Sequence, residues 1–265
     1  MTRRRPLRLR GLGLLALGVA VVIGLAAWQP WQRTPTVDAA ASGDGPLLGV
    51  AEPLVIPTGA RVLVFGDSWT YGSAATVPTD GYAYQLGRMN GWDTTVLGVR
   101  GSGYMRPGID GPDFGTRMAA LDRADEYDLI VVQGSINDRG LVDDSYRAHV
   151  DAAWDALEAV HPDAQIVILG PAPHEFPVHE GTARIDGELA RAAADRGWWH
   201  ISPLAEKWIT PERYDEVIDA LEGHKHPSDA GHRHLAERLT AALLDRAMTT
   251  EAGGATDDAL LTPGR

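Results

Sequence analysis

Cysteine is absent from the 265 residues. That removes disulfides, thiolate nucleophiles and cysteine-type metal sites together. The absence is compatible with an oxidising compartment. Positive charge is also scarce: 24 Lys and Arg stand against 36 Asp and Glu, a formal net charge of −12. Non-specific nucleic-acid binders carry a basic patch, so no nucleic-acid partner is expected. No internal repeat is present. The chain is 44% hydrophobic and 23% charged, the balance of an ordinary globular protein. Its length allows one large domain or two small ones with a sizeable core.

The first ten residues, MTRRRPLRLR, hold five arginines, and residues 11–28 (GLGLLALGVAVVIGLAAW) carry no charge. Eighteen apolar residues sit at the lower end of what spans a bilayer. Trp28 and Trp31 fall where an interfacial aromatic pair belongs. The positive-inside rule then puts the N-terminus in the cytoplasm and the rest outside. A cleaved signal peptide competes with an uncleaved anchor. Gly24-Leu25-Ala26 or Ala39-Ala40-Ala41 would supply small residues for cleavage, but the apolar stretch is long for a cleaved signal, which favours the anchor. Thr2-Arg3-Arg4-Arg5 has a weak likeness to a twin-arginine signal, as any arginine-rich start does. All these readings export the main domain. The expected location is therefore the cell membrane, single-pass, with the catalytic domain outside the cytoplasm, or secretion after cleavage.

Residues 29–58 are rich in Pro, Ala, Gly and Thr and read as a linker. From residue 61 strands and helices alternate. Strands are expected at Arg61–Phe65, Thr94–Leu97, Leu129–Gln133, Ile166–Leu169 and Trp198–Ile201. Helical patterns cover Tyr82–Met89, Arg117–Arg123, Tyr146–Val160, Ala183–Arg196 and Ala230–Met248. In the third of these, Val150, Ala153, Trp154, Leu157 and Val160 share one face. Near-continuous apolar strands bounded by glycine imply a parallel sheet covered on both faces, an α/β doubly wound fold. The expected domain is 59–248, followed by a polar, disordered tail at 249–265.

Ligands of open α/β sheets bind at the carboxyl ends of the strands. There the chain places Gly66-Asp67-Ser68, then GVRGSGY (98–104), then GSIND (134–138). GHKHPSDAGH (223–232) comes at or just before the last helix. A serine, glycine N–H groups, an asparagine and a histidine on one sheet edge are the parts of an acyl-transfer site.

In these four blocks, over residues 60–247, the sequence resembles the SGNH (GDSL-type) serine hydrolases. The resemblance implies a three-layer, flavodoxin-like sandwich around a parallel sheet of about five strands. It implies Ser68 as nucleophile and His226, the histidine before proline, as base. The oxyanion hole would comprise the N–H groups of Ser68 and Gly101 with the Asn137 amide. No cofactor and no metal are implied.

Three departures stand out. The family carries Asp three residues before the histidine, where this chain has Gly223. Glu222 ranks first as the third catalytic member, with Asp219 and a backbone carbonyl as alternatives, since Nδ1–H needs only an acceptor. Ser135 stands where the third block has glycine; Gly134 is placed to meet that conformational need, or Ser135 lines the pocket. The first block reads GDSW, and Trp69 is expected beneath the site.

Other polar residues have plainer readings. GDS alone is a turn with a cap. Asp67 is a structural hydrogen-bonder, Gly98 and Gly103 serve backbone shape, and Asp138 orients its loop. The pairs His224/His226 and His232/His234 do not converge as ligands, because side chains two apart on a helix diverge. His232 would stabilise the start of the last helix and His234 would face solvent. The run Asp122–Asp128 is a solvated helix end and loop. His174, Glu175 and His179 lie on the functional edge, more simply as loop than as substrate contacts.

The expectation is an exported or membrane-anchored serine esterase acting on an acyl or acetyl ester of a small molecule, lipid or glycan. An acyltransferase is the close variant, and a non-catalytic glycan- or lipid-binding module the alternative of a different class. The sequence leaves the oligomeric state open.

Overall fold

The computed structural model describes residues 51–253 apart from residue 142, with side chains described to residue 247. The segment 11–28, most of the linker, and the tail beyond 253 lie outside the described residues. Among those described, no helix is long and apolar enough to cross a membrane.

Five parallel strands form the central sheet: β1 (Arg61–Gly66), β2 (Asp93–Gly98), β3 (Leu129–Gln133), β4 (Gln165–Leu169) and β5 (Trp199–Ile201). Their order is β2-β1-β3-β4-β5. Alternate side chains feed two separate cores, as the two-residue period of a strand requires. Val62, Val64, Leu129, Val131 and Val167 pack on one face against Leu86 of α2 (Tyr82–Asn90) and Leu235, Leu239 and Leu243 of α7 (Asp229–Gly253). Leu63, Phe65, Ile130, Val132 and Ile168 pack on the other. There they meet α3 (Phe114–Ala119), α4 (Tyr146–Val160) and α5 (Glu180–Asp195). Both faces are covered, so the inner strands β1, β3 and β4 are buried along nearly their whole length, while the edge strand β2 exposes Asp93 and Thr95. The three-layer α/β sandwich is the fold expected.

The register brings Gly66 beside Gly98 at the carboxyl ends of β1 and β2. β1 pairs with β2 on one side and β3 on the other, so the chain changes direction at β1. A crevice opens where loops leave a sheet in opposite directions, and ligands of doubly wound folds bind there.

Some boundaries differ from the sequence reading. Helix α3 begins at Phe114 rather than Arg117, because Asp113 caps it by accepting from Thr116 N–H at 2.8 Å. The acidic run beyond it is exposed loop. Helix α7 extends to Gly253, into the expected tail. The end of the expected linker lies against the domain: Leu54 is buried, its N–H donates to Arg246 O, and Val55 N–H donates to Gln165 Oε1 at 2.7 Å. Among the short elements not expected are an antiparallel bridge of β6 (Ile218–Asp219) with β7 (His226–Pro227) and a helix α6 (Tyr214–Val217) beside it.

Candidate active site

Ser68 opens a one-turn helix, α1 (Ser68–Tyr71), directly after β1. Asp67 caps that turn: its Oδ1 accepts from Trp69 N–H at 2.9 Å, a cap worth about 1 kcal/mol. Asp67 is fully buried, and burial above all pushes its carboxyl up to about 7. Beneath it, Gln133 Oε1 accepts from Thr70 Oγ1 at 3.0 Å, and Thr70 meets the Tyr82 hydroxyl at 2.9 Å. Trp69 is buried in the core under this turn.

His226 reaches Ser68 from the other end of the chain. Its Nε2 lies 2.8 Å from Ser68 Oγ. Its Nδ1 lies 2.8 Å from Gly223 O, which can only accept, so Nδ1 carries the proton and Nε2 faces the serine with a lone pair. Burial, the main cause, holds the imidazole below its ordinary pKa, so it is neutral at pH 7.

The acceptor on Nδ1 differs from the residue ranked first from sequence. Glu222 is exposed on the rim of the cleft, and the partner of the imidazole is the main chain one residue further on. Asp219 pairs with His226 in the β6–β7 bridge and accepts from Leu221 N–H. Of the three alternatives, the backbone carbonyl is the one within hydrogen-bond distance of Nδ1. Steric space explains why position 223 carries no side chain: a Cβ at Gly223 would fall 2.7 Å from both Ala74 Cβ and Asp219 Cβ. An aspartate does not fit there.

The second block contributes Gly101, whose φ of 76° lies in the left-handed region that favours glycine. Asn137 follows β3, half-buried, with its amide nitrogen 2.9 Å from Ser102 O and 3.5 Å from Asp67 Oδ2. Asp138 binds the two loops together, its carboxylate accepting from Tyr104 N–H at 2.8 Å and Ser135 Oγ at 2.6 Å. Ser135 is therefore buried and does not line the cleft.

Sequence reasoning passed over Arg117. Its guanidinium lies 4.1 Å from the Phe65 ring centroid and donates to Gly66 O at 3.0 Å, Leu97 O at 2.6 Å and Ser102 Oγ at 3.2 Å. It ties together the chain ends that carry Ser68 and Gly101. Only its burial on α3 distinguishes it, and the sequence does not display that.

Four other histidines lie away from the cleft and serve structure. His232 is buried, its Nδ1 accepting from Tyr82 N–H at 3.1 Å and its Nε2 donating to Ser73 O at 3.0 Å. It joins other elements rather than stabilising the start of its own helix. His234, expected in solvent, is half-buried and donates to Trp208 O at 2.6 Å. His174 is buried, and His179 caps α5 by accepting from Gly181 N–H at 3.0 Å. Among the described residues, no group of three His, Asp or Glu is arranged to hold a metal ion.

Ser68, Gly101, Asn137 and His226 share one open cleft of about 600 Å³, with Tyr71 and Ile109 on its walls. Residues 64–234, more than half of the chain, match the GDSL-like lipase/acylhydrolase family. A GDSL lipase of Mycobacterium tuberculosis is 27% identical over 193 residues, covering 67% of this chain and 79% of that protein. The fold is similar to phospholipase A1 of Streptomyces albidoflavus NA297, with a TM-score of 0.55 at 14% identity, over 69% of this chain and 99% of that one. It is also similar to Est24, a carbohydrate acetylesterase of Sinorhizobium meliloti, with a TM-score of 0.53 at 13% identity, over 70% and 99% of the two chains. With four blocks of site residues gathered at one switch point, the chain belongs to the GDSL-like lipase/acylhydrolase family of the SGNH superfamily and is a serine hydrolase acting on ester bonds.

Proposed function

We propose that Ser68 and His226 hydrolyse an acyl ester as a nucleophile–base dyad outside the cytoplasm. One observation carries the reading: His226 Nε2 stands 2.8 Å from Ser68 Oγ while Nδ1 is committed to Gly223 O. The neutral imidazole takes the hydroxyl proton as Oγ attacks the ester carbonyl, and the C–O bond to the alcohol breaks as Nε2–H protonates the leaving oxygen. Water, deprotonated by the same nitrogen, then releases the acid and restores Ser68.

The developing oxyanion is received by the N–H groups of Ser68 and Gly101 and by the Asn137 amide. That amide has two hydrogens. Ser102 O takes one at 2.9 Å and fixes its plane; the other leads to Asp67 Oδ2, 3.5 Å from the nitrogen, a contact long enough for the oxyanion to replace. The names of the relatives support a lipid or glycan ester as substrate. The arginine-rich start and apolar residues 11–28 support export with retention at the membrane.

Labelling with a fluorophosphonate probe, followed by peptide mapping, tests the dyad. The expected adduct is on Ser68, and Ser68→Ala abolishes both the label and ester hydrolysis. An adduct elsewhere, or undiminished hydrolysis by Ser68→Ala, overturns the reading.

A further inference from the structure

The turn that presents His226 adopts a backbone that its residues disfavour. His224 and Lys225 stand consecutively in the left-handed region, at φ of 52° and 65°. Neither has the freedom of glycine, and Lys225 also lacks the compact polar side chain by which Asn, Asp and His tolerate this region. Their reversal brings both His226 N–H and Nδ1–H onto Gly223 O, at 3.1 and 2.8 Å. If the two residues relaxed toward ordinary φ, the carbonyl would leave the imidazole. A restraint is therefore required.

One restraint lies within the loop, where Lys225 N–H donates to Asp219 O at 2.8 Å. The other comes from outside it. Lys225 Nζ donates to the Glu175 carboxylate, fifty residues away on the segment leaving β4. That segment is itself anchored: the Tyr214 hydroxyl donates to His174 O at 2.7 Å, and the Phe176 and Tyr214 rings meet edge-on at 5.8 Å. His174 lies 3.5 Å from Glu175, but burial first and Arg139 next push its pKa down to about 4. It is neutral at pH 7, which leaves the Glu175 charge to Lys225. Lys225 does not line the cleft, whereas His224 and His226 on either side do.

We propose that the Glu175–Lys225 ion pair is a positioning device for catalysis, holding residues 223–226 so that the Gly223 carbonyl stays on the His226 imidazole. It supplies from outside the loop the constraint that a carboxylate at position 223 would have supplied within it. Neither residue touches substrate. The inference rests on the Ser68–His226 reading of the site.

The test compares Glu175→Gln, Lys225→Met, the double variant and the charge reversal Glu175→Lys/Lys225→Glu with the parent in steady-state ester hydrolysis. An exposed pair of this kind is worth a factor of about two to five. Each single variant is expected to lose that factor in kcat with KM unchanged, the double to lose no more than either single, and the reversal to recover most of it. High salt should lower kcat of the parent and leave the single variants unmoved. The downfield proton resonance of His226 Nδ1–H should broaden or shift in the single variants and return in the reversal. Thermal midpoints should stay close to the parent, so a loss traceable to unfolding is visible as such. Single variants with parental kcat and an unmoved resonance overturn the proposal, as does a reversal that restores neither. Ser68→Ala separates the two readings: if it is inactive while the pair variants are silent, the positioning idea alone fails; if it is active, the dyad itself fails.

Discussion

His226 holds its ring proton against the main chain of Gly223, 2.8 Å away and three residues earlier in the same loop. In the proposed mechanism a carbonyl dipole orients the base as a carboxylate does, but it brings no full negative charge to the imidazolium that would form during attack. The proposed dyad therefore depends on geometry, and geometry is where it is vulnerable.

Glu222→Gln is accordingly expected to leave kcat within about twofold of the parent, since the loss of one exposed charge at the rim is a small perturbation. Gly223→Ala is expected to lower kcat by about 10²-fold, because its Cβ must displace the carbonyl to escape Ala74 and Asp219. Steady-state kinetics on a soluble ester would check both. A large loss in Glu222→Gln would return the carboxylate to the catalytic set.

Asn137→Ala removes the only side-chain donor assigned to the oxyanion. Its kcat should fall about 10²–10³-fold with KM little changed. Equal losses in kcat and 1/KM would instead place the amide in ground-state binding.

The pH dependence of kcat/KM follows from the environment of His226. Burial depresses its pKa, and the base must be neutral to accept the serine proton. The acid limb of the profile should therefore lie below the ordinary histidine value of about 6.5. A limb above that value would mean that an anion stabilises the charged ring after all.

Stability should respond to pH through His232. Its Nδ1 accepts from Tyr82 N–H, so protonation would set two donors against each other, and burial lowers the folded-state pKa. The unfolded chain then binds the proton first. The stabilisation is complete above about pH 6.5 and is lost as pH falls toward the folded value. Thermal midpoints measured between pH 8 and 5 should decline at the acid end, and His232→Asn should flatten that decline.

Much of the fold was legible because its strands are buried on both faces. LIVV and IVIL have no polar positions to confuse with a helix, and glycine ends or directly follows each of the first four strands. Helix α4 matched residue for residue, since five apolar side chains at helical spacing leave one register. Helix α3 was displaced because Gly-Pro-Asp ahead of Phe114 reads as loop, and only the Asp113 cap reveals the start. The bridge of β6 with β7 is two residues long on each side, too short for any period to show.

The amino-acid sequence by itself determined the doubly wound core, through local periodicity, and the four blocks at strand ends and before the last helix whose resemblance to a known family implied Ser68, Gly101, Asn137 and His226. Tertiary structure alone decided what holds the base. The place of the Gly223 carbonyl is set by two left-handed residues, by Ala74, which leaves no room for a side chain at 223, and by Glu175, which holds Lys225; the last two lie far away in the chain. Every residue has a carbonyl, so the choice of this one is made by folding.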